Sequence, residues 1–174
     1  MKFLKVNSYA AVILTLIRVY VGWIWLMQGW NKIAGESAFD ASEFIKGWIA
    51  NPVLDFATNQ AQYPTYIWFL ESIVLPNVGL FNFLVTYGEF LVGVGLILGC
   101  FTRAALFFGL VMNFSYLFSG AVSTNPWLIL LGFILLTTGA GAVKFGIDRW
   151  VMPRLNLSSR FGLLAGKKFK AETN

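Results

Sequence analysis

Histidine is absent from the 174 residues, and cysteine occurs once, at Cys100. Without histidine there is no His-ligated haem, no His-bearing zinc site, and no Ser-His or Cys-His nucleophilic pair. A single cysteine makes neither an intrachain disulfide nor an iron–sulfur cluster. No glycine-rich phosphate cradle, of the P-loop or dinucleotide kind, is present. Haem, metal and nucleotide therefore drop out as expected cofactors. Charge is scarce as well: 12% of residues carry it, about half the share in soluble domains.

What is present is apolar. Hydrophobic residues make up 57% of the chain, with seventeen phenylalanines, seven tryptophans and seventeen glycines. The mean hydropathy is +0.68. This composition excludes disorder and argues for an integral membrane protein of one domain. The net charge of +5 does not point to nucleic acid, because the basic residues gather at the edges of apolar runs.

Four stretches are long and apolar enough to cross a bilayer, which takes about 20 residues. They lie near Tyr9–Trp30, Leu80–Cys100, Ala104–Val122 and Trp127–Val143. The first follows Lys2 and Lys5 like a signal peptide. It is too long for one and contains Arg18, so we read it as a retained helix. Basic residues (Lys2, Lys5, Arg103, Lys144, Arg149, Arg154, Arg160, Lys167, Lys168, Lys170) fall at the N-terminus, the second turn and the C-terminal tail. The loop over about 33–79 instead holds Glu36, Asp40, Glu43, Asp55 and Glu71 against Lys32 and Lys46. The positive-inside rule then puts both termini in the cytoplasm and the long loop outside. The expected fold is an all-α four-helix membrane bundle over residues 1–150, followed by a basic cytoplasmic tail over 151–174. The basic stretch from Lys144 onward, with Trp150 and Phe161 among its charges, suits the inner leaflet of a prokaryotic plasma membrane.

The outer loop has helical signals of its own. Asp40 with Glu43 reads as a capping box, and Phe44, Ile45, Trp48 and Ile49 follow at helical spacing. Pro64–Leu75 reads as a second short apolar segment, closed by Pro76 and lying at the interface or over the bundle.

Ionisable groups at membrane depth are costly and mark functional sites by default. Counting from the inner ends of their spans, Arg18, Glu89 and Asn113 each fall about 14–16 Å deep at 1.5 Å per residue. The expectation is a buried Arg18–Glu89 ion pair with Asn113 beside it, either a register-fixing staple or a working site. Arg18, Gly22, Trp25, Gly29 and Lys32 share one face of the first helix. Trp25, Tyr87 and Tyr116 can offer an aromatic surface for a flat ligand, and Gln28 with Lys32 an anion site near the outer face.

These residues resemble the DoxX/DoxD family of small four-helix membrane proteins. The likeness rests on Arg18-x3-Gly22…Gly29-x2-Lys32, on Glu89-x3-Gly93-x-Gly95…Gly99-x3-Arg103, and on Gly146-Ile147-Asp148. The resemblance implies quinone and sulfur redox chemistry, since DoxD-like proteins are membrane subunits of thiosulfate:quinone oxidoreductase. On that implication Arg18 and Asn113 donate to quinone carbonyls, Glu89 moves a proton, and a partner redox subunit completes the enzyme. Two further readings stand beside it: a non-enzymatic assembly or anchoring subunit, and a small proton-coupled transporter. Lipid is the expected surrounding partner, and a homo-oligomer is compatible with the sequence.

Overall fold

A computed structural model describes residues 8–138 and 145–154 of the chain. The elements among them are helical, apart from one isolated bridge between Leu54 and Ala61. Helix α1 (Ser8–Ile33) is the first long apolar rod. It runs antiparallel to α4 (Val78–Leu98) along a seam of interlocked glycines. Gly22 faces Leu96 and Ile97, Gly29 faces the backbone of Phe90, and Gly93 faces the backbone of Leu26. Lipid gives helices no hydrophobic reason to associate, so close backbone approach at small residues carries the contact.

Sequence reading separates Pro64–Leu75 from the second span, but the structure joins them. Helix α3 (Pro64–Phe69) passes through a π turn (Leu70–Val74) and a 3-10 turn (Leu75–Asn77) into α4. The whole run, Pro64–Leu98, is 35 residues long. Pro76 does not stop it. Proline removes one donor and collides with the carbonyl four residues back, and the widened π turn ahead of it absorbs both effects.

Helix α2 (Ser42–Ala50) roofs this region, with Ile45, Leu70 and Val74 forming a second small core. The expected capping box does not form. Ala41 stands at the cap position, Glu43 pairs with Lys46, and the Asp40 carboxylate accepts the Ser42 N–H and hydroxyl together with an Asn82 N–H from α4. Asn82 holds the roof at two points: its Oδ1 accepts the Ala41 N–H (3.0 Å) and its Nδ2 donates to Asp40 (3.1 Å). Hydrogen bonds from the Ser42 hydroxyl and N–H, and from Asn82, hold the Asp40 carboxyl below the usual aspartate range. A depressed carboxyl stabilises the fold fully above its ordinary pKa of 3.8, and that contribution is lost as pH falls through the lower folded value. Asn82→Ala should therefore raise hydrogen exchange in residues 40–50 at neutral pH. In the wild type the same segment should loosen only in acid below about pH 4.

Helices α5 (Thr102–Phe118) and α6 (Asn125–Thr138) complete the packing. The four long helices among the described residues meet at one core: Leu14, Val21 and Trp25 from α1, Val92 and Leu96 from α4, Ala105 and Leu106 from α5, and Leu128 and Leu135 from α6. The outward faces carry Trp23, Leu84, Leu91, Phe107, Phe108, Leu130 and Phe133 in the open, while Arg18, Glu89, Thr102, Asn113 and Asp148 are buried. An apolar sheath around buried polar groups suits lipid. Two helical runs, Tyr9–Ile33 and Pro64–Leu98, are long and apolar enough to cross a membrane. The expected third span ends early, at Phe118, where the chain turns through Gly120 at φ +85°. Residues 139–143 of the expected fourth lie outside those described, as do Lys2, Lys5, Lys144, Arg160, Lys167, Lys168 and Lys170 and most of the 151–174 tail.

After α6 the chain returns to the α4–α5 turn. Ile147 and Asp148 donate their N–H groups to the carbonyls of Leu98 (3.2 Å) and Gly99 (2.7 Å). The Asp148 carboxylate accepts the N–H groups of Phe101 (2.6 Å) and Thr102 (2.8 Å). It thereby caps α5 from the start of a distant short helix, α7 (Asp148–Arg154). Free N–H groups at a helix start favour a carboxylate there.

Candidate functional site

The buried acid of the second span, Glu89, is 1% exposed and does not pair with Arg18. It forms an ion pair with Lys32, the last basic residue of α1. Its other oxygen accepts the Tyr116 hydroxyl from α5 at 2.6 Å. Three helices thus contribute one side chain each to a single network. The Lys32 side chain keeps 20% of its surface exposed and lies over the Phe39 ring, 5.2 Å from its centre.

Above this network a cleft of about 510 Å³ opens to the outside of the bundle, lined by Gln28, Asn31, Lys32, Glu36, Phe39 and Asp40 among others. Gln28 and Lys32 do share this cleft. The charge of Lys32 is already matched by Glu89, and the remaining charged walls, Glu36 and Asp40, are acidic. The lining therefore favours a neutral ligand over an anion.

Arg18 occupies a different layer. Its Nη2 donates to the Phe145 carbonyl at 3.0 Å. Its guanidinium fills the space beside Gly99 and Gly146, in electrostatic range of Asp148. The glycine seam explains the separation. It sets Arg18 level with Gly99, ten residues from Glu89 on α4, or about 15 Å along the helix. The equal-depth expectation took Tyr9 and Cys100 as level, whereas Tyr9 lies nine residues before Arg18 and so about 14 Å beyond the level of the α4–α5 turn.

Asn113 is 1% exposed and bonds to neither Arg18 nor Glu89; its Oδ1 has no partner among the described residues. The aromatic trio is not assembled either. Trp25 is packed into the core at 2% exposure, Tyr87 faces outward against Phe83 with rings 4.6 Å apart, and only Tyr116 joins the Glu89 network. Around Trp25 the open space is about 10 Å³, far below the size of a quinone ring. Sequence reasoning missed the Lys32–Glu89 pairing and Phe39. The signal was available: Lys32 shares the Arg18 face of α1, so either cation could have met Glu89, and the register decides which. Among the described residues no group of Cys, Asp and Glu side chains gathers as a metal site.

Fold and site together define a helical membrane protein with a protonatable, ion-paired network buried beneath an open cleft. The DoxX family model matches residues 13–121, and the chain belongs to the DoxX family. No curated protein and no solved structure matched it.

Proposed function

We propose that this protein is a quinone-interacting membrane redox subunit whose working centre is the Lys32–Glu89–Tyr116 network. The carrying observation is the position of that network: one fully buried carboxylate, held by a cation and a hydroxyl, under a cleft of about 510 Å³. Ligand sites for small molecules commonly fall in the range of about 300–1,000 Å³. Gln28 and Lys32 offer donors for carbonyl oxygens, and Phe39 offers a ring face. The acidic rim accords with a neutral ligand. A quinone bound there supplies carbonyl chemistry that takes up two electrons with two protons. Glu89 is the group placed to hold or pass a proton at Oε1 or Oε2, Tyr116 fixes its orientation, and Lys32 balances its charge. Electrons from a reduced sulfur anion such as thiosulfate would then arrive through a partner subunit.

The same reading makes the chain a four-helix plasma-membrane protein of a prokaryote with both termini in the cytoplasm. Exposed Arg103 and Arg149 lie at the end carrying the α4–α5 turn, and exposed Glu36, Asp40 and Glu71 lie at the other, as the positive-inside rule asks. A second reading, an assembly or anchoring subunit, draws support from the solid packing around Trp25, which leaves the core no room for a ring.

Mass spectrometry of the lipids retained by gently purified protein tests the choice. Stoichiometric quinone in the wild type, lost on Gln28→Leu, supports the redox reading and places the ligand in the cleft. Wild-type protein without quinone at any loading supports the assembly reading instead.

A further inference from the structure

The core that closes around Trp25 is apolar except at one point. A void of about 10 Å³ lies between the four long helices, with Trp25, Leu96, Gly109, Asn113 and Gly132 in its wall. The Oδ1 of Asn113 is buried and without a partner among the described residues. The Trp25 indole N–H faces the same region, since a Cβ built on Gly109 would lie 3.4 Å from Nε1. Two glycines keep the space open. A side chain at Gly132 would meet Leu110 at 2.9 Å, and one at Gly109 would meet Val92 at 3.3 Å. Apolar voids stay dry, whereas a void of about 10–15 Å³ edged by polar groups accepts one water.

The position of this void matters as much as its chemistry. The three helices that supply the Glu89 network also supply its walls, one or two turns further in. Trp25 lies seven residues before Lys32 on α1, Leu96 seven after Glu89 on α4, and Asn113 three before Tyr116 on α5. Steps of three and seven keep each pair on one helical face. The void is the next polar place inward from the ion pair.

We propose that this void holds one resident water, hydrogen-bonded between the Asn113 side-chain amide and the Trp25 indole N–H, and that it extends the Glu89 network toward the middle of the bundle. A water both donates and accepts, so it satisfies the stranded amide oxygen and gives the network an inner polar neighbour. Asn113 is then a positioning residue that acts through the water. The charged and titratable groups facing Glu89 are Lys32 from α1 and Tyr116 from α5, with Tyr66 from α3 in electrostatic range of Tyr116. Helix α6 carries no titratable side chain over its described length. A change at Asn113 therefore alters none of these charges.

Both halves of the proposal can be read from the purified full-length protein in lipid nanodiscs, with no added quinone. Nitrogen-15 labelling of tryptophan lets the Trp25 indole N–H report contact with a long-lived water. That contact is expected in the wild type, kept in Asn113→Ser and lost in Asn113→Leu, whose side chain fills the void. Infrared titration of the Glu89 carboxyl band, assigned by its loss in Glu89→Gln, reads the coupling. Its midpoint is expected to move in Asn113→Leu by about half a pH unit or more, a threefold change in proton affinity, and to return toward wild type in Asn113→Ser. No water contact at Trp25 in the wild type overturns the proposal. Loss of that contact in Asn113→Leu with the Glu89 midpoint unmoved overturns the coupling. If Asn113→Leu does not fold, the serine variant decides: a retained water contact with an unchanged fold is required. Absence of quinone from the wild type bears on the redox reading alone and leaves these results standing.

Discussion

Glu89→Gln is expected to lower quinone-linked turnover by about 10²–10⁴-fold, the contribution of a positioned acid–base group, while the protein still folds. The amide keeps an oxygen for the Tyr116 hydroxyl, so the 2.6 Å hydrogen bond has a successor. Lys32 loses its counter-charge, but its partly exposed side chain can turn into the water of the cleft. The loss of stability should stay near 1–2 kcal/mol, the scale of one exchanged hydrogen bond to a charged group. Lys32→Met is the sharper structural test. It leaves a carboxylate with 1% exposure and no cation, and breaking a buried pair from that side costs about 3–5 kcal/mol. Thermal unfolding in detergent, run beside turnover, should rank Lys32→Met as the less stable variant and Glu89→Gln as the stable but inactive one. The reverse ranking would show the network to be a staple and no more.

The second large effect belongs to the helix seam. A Cβ at Gly93 would stand 2.5 Å from the Leu26 Cα and nearer still to its nitrogen. Both are backbone atoms, so no rotamer change relieves the contact and α1 must move bodily away from α4. Gly93→Ala should therefore cost about 3 kcal/mol, the upper part of the overpacking range. Because the same seam aligns Lys32 with Glu89, the ion pair should be disturbed as well. Gly88→Ala on the same helix is the control. Its Cβ would find only Met112, with Sδ at 3.5 Å, and alanine there should stabilise by about 0.5–1 kcal/mol through lost unfolded-state freedom. Opposite signs five residues apart would establish that packing against α1, and not helix propensity, governs this helix. Melting temperatures of the two variants settle the point.

The contrast between faces and levels accounts for what could be read from the sequence. Helical periodicity places Arg18, Gly22, Trp25, Gly29 and Lys32 on one side of α1 without any structure, and that side does face α4. The level at which two antiparallel helices meet is a separate quantity, set by which glycine lodges against which backbone. Gly22, Gly29 and Gly93 fix it, but glycines occur on other faces too, and composition does not mark the ones that interlock. Assigning Glu89 to Arg18 followed from aligning helix ends, which carry no such constraint. Pro76 misled for a related reason: proline weakens one turn, and whether a helix resumes beyond it depends on packing, here of Leu70 and Val74 beneath the roof. Tyr116 was legible as an aromatic on the interior face of α5. Its role as a hydroxyl donor depended on the same register and was not.

The distant cap on α5 has a consequence for the order of events during synthesis. The first two N–H groups at the start of that helix are satisfied by the carboxylate of Asp148, which leaves the ribosome thirty residues after Phe118. Until then the α4–α5 turn of the hairpin stands unsealed, and the N–H groups there must be met by water or headgroups. The end of the bundle that carries Arg18, Gly99 and Gly146 is thus completed last, by the segment that follows the final long helix. Nascent chains halted before Phe145 would hold the Glu89 network and the glycine seam, yet remain open at the opposite end.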